Sequence, residues 1–135
     1  MTKGLPYSGK TTWARDQCGR KRDVVRVSWT EIRSMMSAKE YDRQITHTAV
    51  YTALRLIERA LKEGKTVILD ELNLYGPSFS LFLGVAQMCK ARTEFHLVKC
   101  SAEECKRRCS LAGGSTAELM KIDMLAEKYA LVLKK

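Results

Sequence analysis

Gly4-Leu5-Pro6-Tyr7-Ser8-Gly9-Lys10-Thr11 has the spacing G-x-x-x-x-G-K-[ST]. Glycines at these two places let a loop curl so that backbone N–H groups and a helix N-terminus point at one anion. The lysine then bridges the β- and γ-phosphates of a nucleoside triphosphate, and the hydroxyl of Thr11 is placed to ligate Mg²⁺. A second chemical signal lies far along the chain, where Val67-Ile68-Leu69 runs into Asp70-Glu71. An apolar strand ending in carboxylates puts acid at the C-terminal edge of a parallel sheet, where ligands bind in open α/β folds. Asp70 is expected near the metal, with Asp70 or Glu71 facing the metal or the phosphoryl acceptor. Together these segments predict phosphoryl transfer from ATP or a similar triphosphate.

The elements that must position these residues alternate in type. A helix is expected over Thr11–Cys18, a strand over Val24–Trp29, and a long amphipathic helix over Lys39–Glu63, stopped by Gly64. A buried strand follows at Lys65–Asp70, a helix at Pro77–Lys90 and a strand at Glu94–Cys100. Helices are expected over Ala102–Cys109 and Ser115–Leu133, the last behind the Gly113-Gly114 break. Strands alternating with helices imply an α/β fold, a three-layer arrangement around a parallel sheet. The 135 residues read as one domain, 1–135. A phosphate loop normally follows a buried strand, yet only Met1-Thr2-Lys3 precede Gly4. The first strand is therefore a stub, or Met1 is internal to a longer natural chain, and a second subunit is one way to cover the sheet so exposed. A homodimer is accordingly one expectation.

Composition narrows the partners. The chain carries 24 Lys and Arg against 15 Asp and Glu, a formal charge of +9. A field of that sign on so small a body attracts polyanions, so nucleic acid leads as partner. No apolar run approaches a membrane span or a signal segment, which predicts a cytoplasmic protein without membrane attachment. Five cysteines without a Cys-x-x-Cys pair argue for reduced thiols. His96, Cys100, Cys105 and Cys109 have spacings that zinc can use, but thiols and a histidine at strand and helix spacing are read first as core. His47, the basic turn Gly19-Arg20-Lys21-Arg22 and the Met35-Met36 and Met120–Met124 pairs are read as surface or packing groups.

Beyond these motifs, Gly4-Leu5-Pro6-Tyr7-Ser8-Gly9-Lys10-Thr11-Thr12-Trp13-Ala14-Arg15 resembles the G-x-P-x-S-G-K-S-T-W-A-R start of the phage polynucleotide-kinase-like P-loop kinases. Val27-Ser28-Trp29-Thr30-Glu31-Ile32-Arg33 is similar to their acceptor segment N-R-D-D-x-R, and Asp70-Glu71-Leu72-Asn73-Leu74 to their D-D-T-N-L. Lys106-Arg107-Arg108 falls where they carry a lid arginine, and Ile122-Asp123-Met124-Leu125 resembles their terminal P-I-D-V-L helix. The resemblance implies transfer of the ATP γ-phosphoryl group to a hydroxyl of a polynucleotide. It implies that Gly4, Tyr7, Ser8, Gly9, Lys10, Thr11 and Thr12 hold the nucleotide, with Arg107 or Arg108 on its phosphates. It also places Arg33, Thr30, Trp29 and Asn73 on the substrate side.

One departure stands out. The family aspartate that takes the proton from the attacking hydroxyl falls on Thr30, which cannot act as a base. Glu71, Asp70 and Glu31 are, in that order, the candidate replacements. A second lid arginine falls near Leu111 and is lost. A rebuilt acceptor site is similar to the situation expected of phage kinases that phosphorylate 5-hydroxymethyluracil in DNA. That acceptor is the first expectation and a 5′-hydroxyl end the alternative, with Trp29, Tyr7 and Tyr75 as aromatics to stack an extruded base. A small-molecule kinase leaves the positive charge unexplained. A degenerate module that binds nucleotide and DNA without turnover is the rival from outside enzymes.

Overall fold

The computed structural model describes residues 1–37, 42–74 and 76–134. The phosphate loop connects a short strand, β1 (Thr2–Lys3), to α1 (Lys10–Arg20). Next come β2 (Val24–Val27), α2 (Trp29–Met36), α3 (Arg43–Lys62) and β3 (Thr66–Leu69). The chain continues through α4 (Pro77–Met88), β4 (His96–Leu97), α5 (Ala102–Leu111), α6 (Thr116–Lys128) and α7 (Ala130–Lys134). No described helix is long and apolar enough to cross a membrane.

Among the described residues all strand pairing is parallel, in keeping with the alternation of elements. β2 pairs with β3 over Val24–Val27 and Thr66–Leu69, and β1 pairs with β4. The two ladders are joined by side chains. Thr2, fully buried, donates from Oγ1 to the carbonyls of Leu69 at 3.3 Å and Glu71 at 2.9 Å. Asn73 Nδ2 donates to the carbonyls of Thr2 at 2.7 Å, Leu69 at 3.2 Å and Glu71 at 3.3 Å. These bonds tie β1 to the end of β3 and so join the two ladders, β1-β4 and β2-β3, without a ladder between them among the described residues. The asparagine predicted to meet substrate is thus buried, in a left-handed turn of φ 49°, with its amide directed at backbone. Asparagine tolerates that conformation because its short side chain bonds locally.

Several boundaries differ from those predicted. The strand expected to reach Trp29 ends at Val27, because Ser28 caps a helix instead and its Oγ accepts from the Glu31 N–H at 3.2 Å. Trp29 opens α2 and packs against the core. The start expected at Lys39 for the long helix lies outside the described residues; α3 begins after Asp42, whose carboxylate accepts from Ile45 N–H at 3.0 Å. The strand expected over Glu94–Cys100 shortens to two residues because β1 offers it a two-residue partner. The last helix breaks at Tyr129. Its start is held by a capping box, Ser115 with Glu118.

Two apolar clusters hold the frame. Val27, Val50, Leu54, Ile57, Leu69 and Phe82 join β2 and β3 to α3 and α4. Leu5, Cys105, Cys109, Ile122 and Leu125 pack α5 and α6 beneath the phosphate loop. All five cysteines are free thiols, and burial pushes Cys105 up to about 12, so it serves here as a small apolar filler. His96 stacks on Trp13 at 3.8 Å between ring centres.

Candidate active site

The phosphate loop is shaped by its backbone. A Cβ on Gly4 would stand 2.8 Å from the Val98 carbonyl oxygen and 2.9 Å from Ser8 Oγ, so a side chain cannot enter there. Gly9 caps α1 at φ 102°, a conformation that favours glycine. Tyr7 adopts φ 60°. It is held by its hydroxyl, which donates to Glu118 Oε1 at 2.9 Å. Burial, then this bond, raises the Tyr7 hydroxyl above its ordinary range. Lys10 is buried at the first position of α1, and its Nζ donates to the Leu5 carbonyl within its own loop. Burial pulls its ammonium down to about 8, against the opposing fields of Asp70 and Glu71. A buried ammonium at a helix N-terminus inside a glycine cradle fits a nucleotide phosphate. Thr11 is half-buried on the next position and Thr12 is exposed.

Across from the loop, three carboxylates converge from two elements. Asp70 and Glu71 follow β3, and Glu31 lies in the first turn of α2. Arg26, projecting from β2, binds two of them. Its Nε donates to Asp70 Oδ2 at 2.7 Å, while Nη1 and Nη2 donate to Glu31 Oε2 and Oε1 at 2.8 and 2.5 Å. Arg15 adds a contact to Glu31 at 3.3 Å. The Arg26 bonds hold the Glu31 carboxyl below its ordinary range. Glu71 is treated differently. Its Oε1 accepts from Ser28 Oγ at 2.9 Å and Thr30 N–H at 3.0 Å, and its Oε2 accepts from Thr30 Oγ1 at 2.7 Å. Burial raises its carboxyl above the ordinary range, with these bonds opposing and Asp70 adding to the rise.

The basic helix α5 contributes one arginine to the loop. Arg108 Nη1 donates to the carbonyls of Tyr7 and Ser8, both at 3.3 Å. Arg107, one position earlier, points to solvent and donates to Glu104 at 2.7 and 2.8 Å. Glu104 also accepts from Arg108 at 2.8 Å, and the two guanidiniums hold its carboxyl down at about 2. Leu111, near which the resemblance places a second lid arginine, is exposed.

The structure therefore brings Gly4, Ser8, Gly9, Lys10 and Arg108 together on one side, with Asp70, Glu71, Thr30 and Glu31 on the other. Arg33 lies half-buried in the last turn of α2. Trp29 and Asn73 are committed to packing and to the strand seam, and Tyr75 lies outside the described residues. Arg26 escaped the reading of the sequence, although a charged residue inside the apolar run Val24–Val27 was its signal. Mg²⁺ chemistry fits the donors present: Thr11 is the second residue of α1, and the bonds of Asp70 to Arg26 run through Oδ2.

Solved structures share the fold. A chain of the "Structure of the Pnkp1/Rnl/Hen1 RNA repair complex" matches with a TM-score of 0.74 over 94% of this chain, at 21% identity. A chain of the "Structure of Pnkp1/Rnl/Hen1 complex" matches with a TM-score of 0.70 over 79%, at 23% identity. This chain spans 44% and 37% of those chains, less than half of each. Among curated proteins, none matches this sequence. Residues 1–112 match the AAA domain family, and with most of its length so matched the chain belongs to that family, as a nucleotide-binding, P-loop kinase-like domain.

Proposed function

We propose that this domain transfers the γ-phosphoryl group of ATP to a hydroxyl of a polynucleotide. The observation that carries the reading is the placement of Glu71, which Ser28 and Thr30 hold by neutral donors opposite the buried ammonium of Lys10. A carboxylate so held can accept the proton of an attacking hydroxyl, which answers the question raised by threonine at position 30. Thr30 orients the base. Lys10 and the loop N–H groups bind the phosphates, and Arg108 is the lid arginine within reach of them. Mg²⁺, when bound through Thr11 and Asp70, neutralises charge on the phosphates.

A charge of +9 supports a polyanionic acceptor. Between its hydroxyls, the geometry favours a 5′-hydroxyl end. Trp29 packs on one core cluster and Tyr7 on the other, so both rings are already partly engaged in packing rather than set out for an extruded base. The hydroxymethyl group of a modified base is the second reading, favoured by the changed acceptor segment. DNA leads as acceptor, and RNA enters because one structural neighbour is described as an RNA repair complex.

The test is transfer of label from γ-³²P-ATP with Mg²⁺ to three oligonucleotides: DNA with a free 5′-hydroxyl, RNA with a free 5′-hydroxyl, and 5′-blocked DNA containing 5-hydroxymethyluracil. Label on either free end supports end phosphorylation. Label on the blocked DNA alone transfers the assignment to the base. Nucleotide binding without label on any of them removes the kinase reading in favour of a binding module.

A further inference from the structure

We propose that Arg26 is a positioning residue of the phosphotransfer centre: it binds Asp70 and Glu31 with one guanidinium and so leaves Glu71 as the carboxylate offered to the acceptor. The inference rests on the kinase reading above. Its basis is a division of donors. A guanidinium presents its N–H groups as a rigid planar fork and cannot be deprotonated, which suits it to hold two carboxylates at fixed places. Here it reaches Asp70 from Nε and Nη2, both at 2.7 Å, and Glu31 from Nη1 and Nη2. The side chain of Arg26 is 14% exposed and that of Asp70 is 2% exposed, so neither charge is compensated by bulk water.

Glu71 receives only neutral donors among the described residues. Oε1 takes two bonds, from Ser28 and the Thr30 N–H, while Oε2 takes one, from the Thr30 hydroxyl. A carboxylate oxygen accepts about two bonds, so Oε2 keeps one accepting position for an incoming hydroxyl. The charges facing Glu71 are Asp70 beside it after β3, Lys10 on α1, and the Arg26–Glu31 pair bridging β2 and α2, with Arg15 behind Glu31. Without Arg26, three carboxylates would share this edge with Lys10 and the exposed Arg15 as the remaining near cations. Glu31 and Asp70 would repel Glu71 and compete with it for Thr30 and for the substrate proton. The guanidinium thus does for this centre what a different residue at position 30 does not: it decides which acid faces the acceptor.

The experiment compares Arg26→Met, Arg26→Lys and the double variant Arg26→Met/Glu31→Gln with the parent chain, using steady-state phosphorylation of the acceptor that the labelling assay identifies. Rates are normalised to nucleotide-binding sites. Arg26→Met is expected to lower kcat by about 100-fold with KM for ATP within about twofold, the signature of lost positioning rather than lost binding. Arg26→Lys keeps the charge but not the fork, and should recover only part of the loss. Removing Glu31 from the Arg26→Met background removes one repelling carboxylate and should restore several-fold of kcat. An unchanged kcat in Arg26→Met, complete rescue by lysine, or a loss confined to KM for ATP overturns the proposal. If the parent labels no acceptor, the kinase reading fails by itself. Crystal structures of the parent and Arg26→Met then decide the placement of Glu71: release of its bonds to Ser28 and Thr30 in the variant upholds the role of Arg26, and an unmoved Glu71 overturns it.

Discussion

The two sides of the site are made of different material. The phosphate side is backbone: the loop from Gly4 to Gly9, the first turn of α1, and two positive-φ glycines that no other residue replaces without strain. The acceptor side is side chain: Arg26 from β2, Ser28 and Thr30 at the start of α2, and Asp70 and Glu71 after β3. Backbone sites are bound to short contiguous motifs, because each glycine has a place in one turn. Sites assembled from side chains on three elements depend on partners distant in sequence, as the bonds of Arg26 to Asp70 and of Thr30 to Glu71 show.

The contrast can be broken most severely on the phosphate side. Lys10→Met deletes the buried cation and should reduce kcat for phosphoryl transfer by about 10²- to 10³-fold, read in the labelling assay at saturating ATP. Glu71→Gln keeps the bonds from Ser28 and Thr30 but cannot take a proton, and a fall of about 10²-fold with ATP affinity preserved is expected. Equal activity of Glu71→Gln and the parent would remove Glu71 as base and return Asp70 and Glu31 to consideration. Because burial raises the Glu71 carboxyl, activity should be lost as pH falls through that raised value, at a higher pH than an exposed glutamate would give.

The lid sharpens the same comparison at smaller effect. Arg108 touches the loop carbonyls, whereas Arg107 pairs with Glu104 at the surface of α5. Arg108→Ala should cost about tenfold in kcat and Arg107→Ala less than about twofold, measured side by side. Equal losses would place both arginines on the nucleotide.

How much of this was legible in the sequence follows from the same division. Lys10, Thr11 and the acid-ended strand before Asp70 were readable from local pattern, since a glycine cradle and an apolar run ending in carboxylates need no knowledge of distant residues. The fold class was readable too, because the alternation of β-branched and amphipathic segments admits few parallel arrangements. Arg26 was not, since its partners are 44 and 5 residues away and its role exists only once β2 and β3 are in register. Asn73 was read toward substrate from its place in Asp70-Glu71-Leu72-Asn73-Leu74, whereas its amide donates to the Thr2 carbonyl, 71 residues away, in the strand seam. Trp29 was placed in a strand because Ser28 reads equally as a strand residue or a cap. Only the bond from Glu31 N–H to Ser28 Oγ decides it.

That seam gives a stability test independent of catalysis. Asn73→Ala leaves the Thr2 and Leu69 carbonyls short of a buried donor and puts alanine in a left-handed turn, so a loss of roughly 2–3 kcal/mol is expected from urea unfolding. A change below about 0.5 kcal/mol would mean that the amide is free for substrate after all.

The smallest effect concerns protons. Lys10 is held near 8 by burial, so in the free domain at pH 8 to 8.5 a sizeable fraction of its amines is neutral. A triphosphate favours the ammonium and should draw a proton from solvent as it binds. Below about pH 7 the group is already charged, and no uptake is expected there. Calorimetry of ATP-analogue binding in two buffers of different ionisation enthalpy reads this directly: the enthalpies should diverge at pH 8.5, by the equivalent of up to about one proton, and coincide at pH 6.5. Coincidence at both pH values would mean that Lys10 is fully charged in its curled position against the Leu5 carbonyl. The phosphate side would then be preset in charge as well as in backbone.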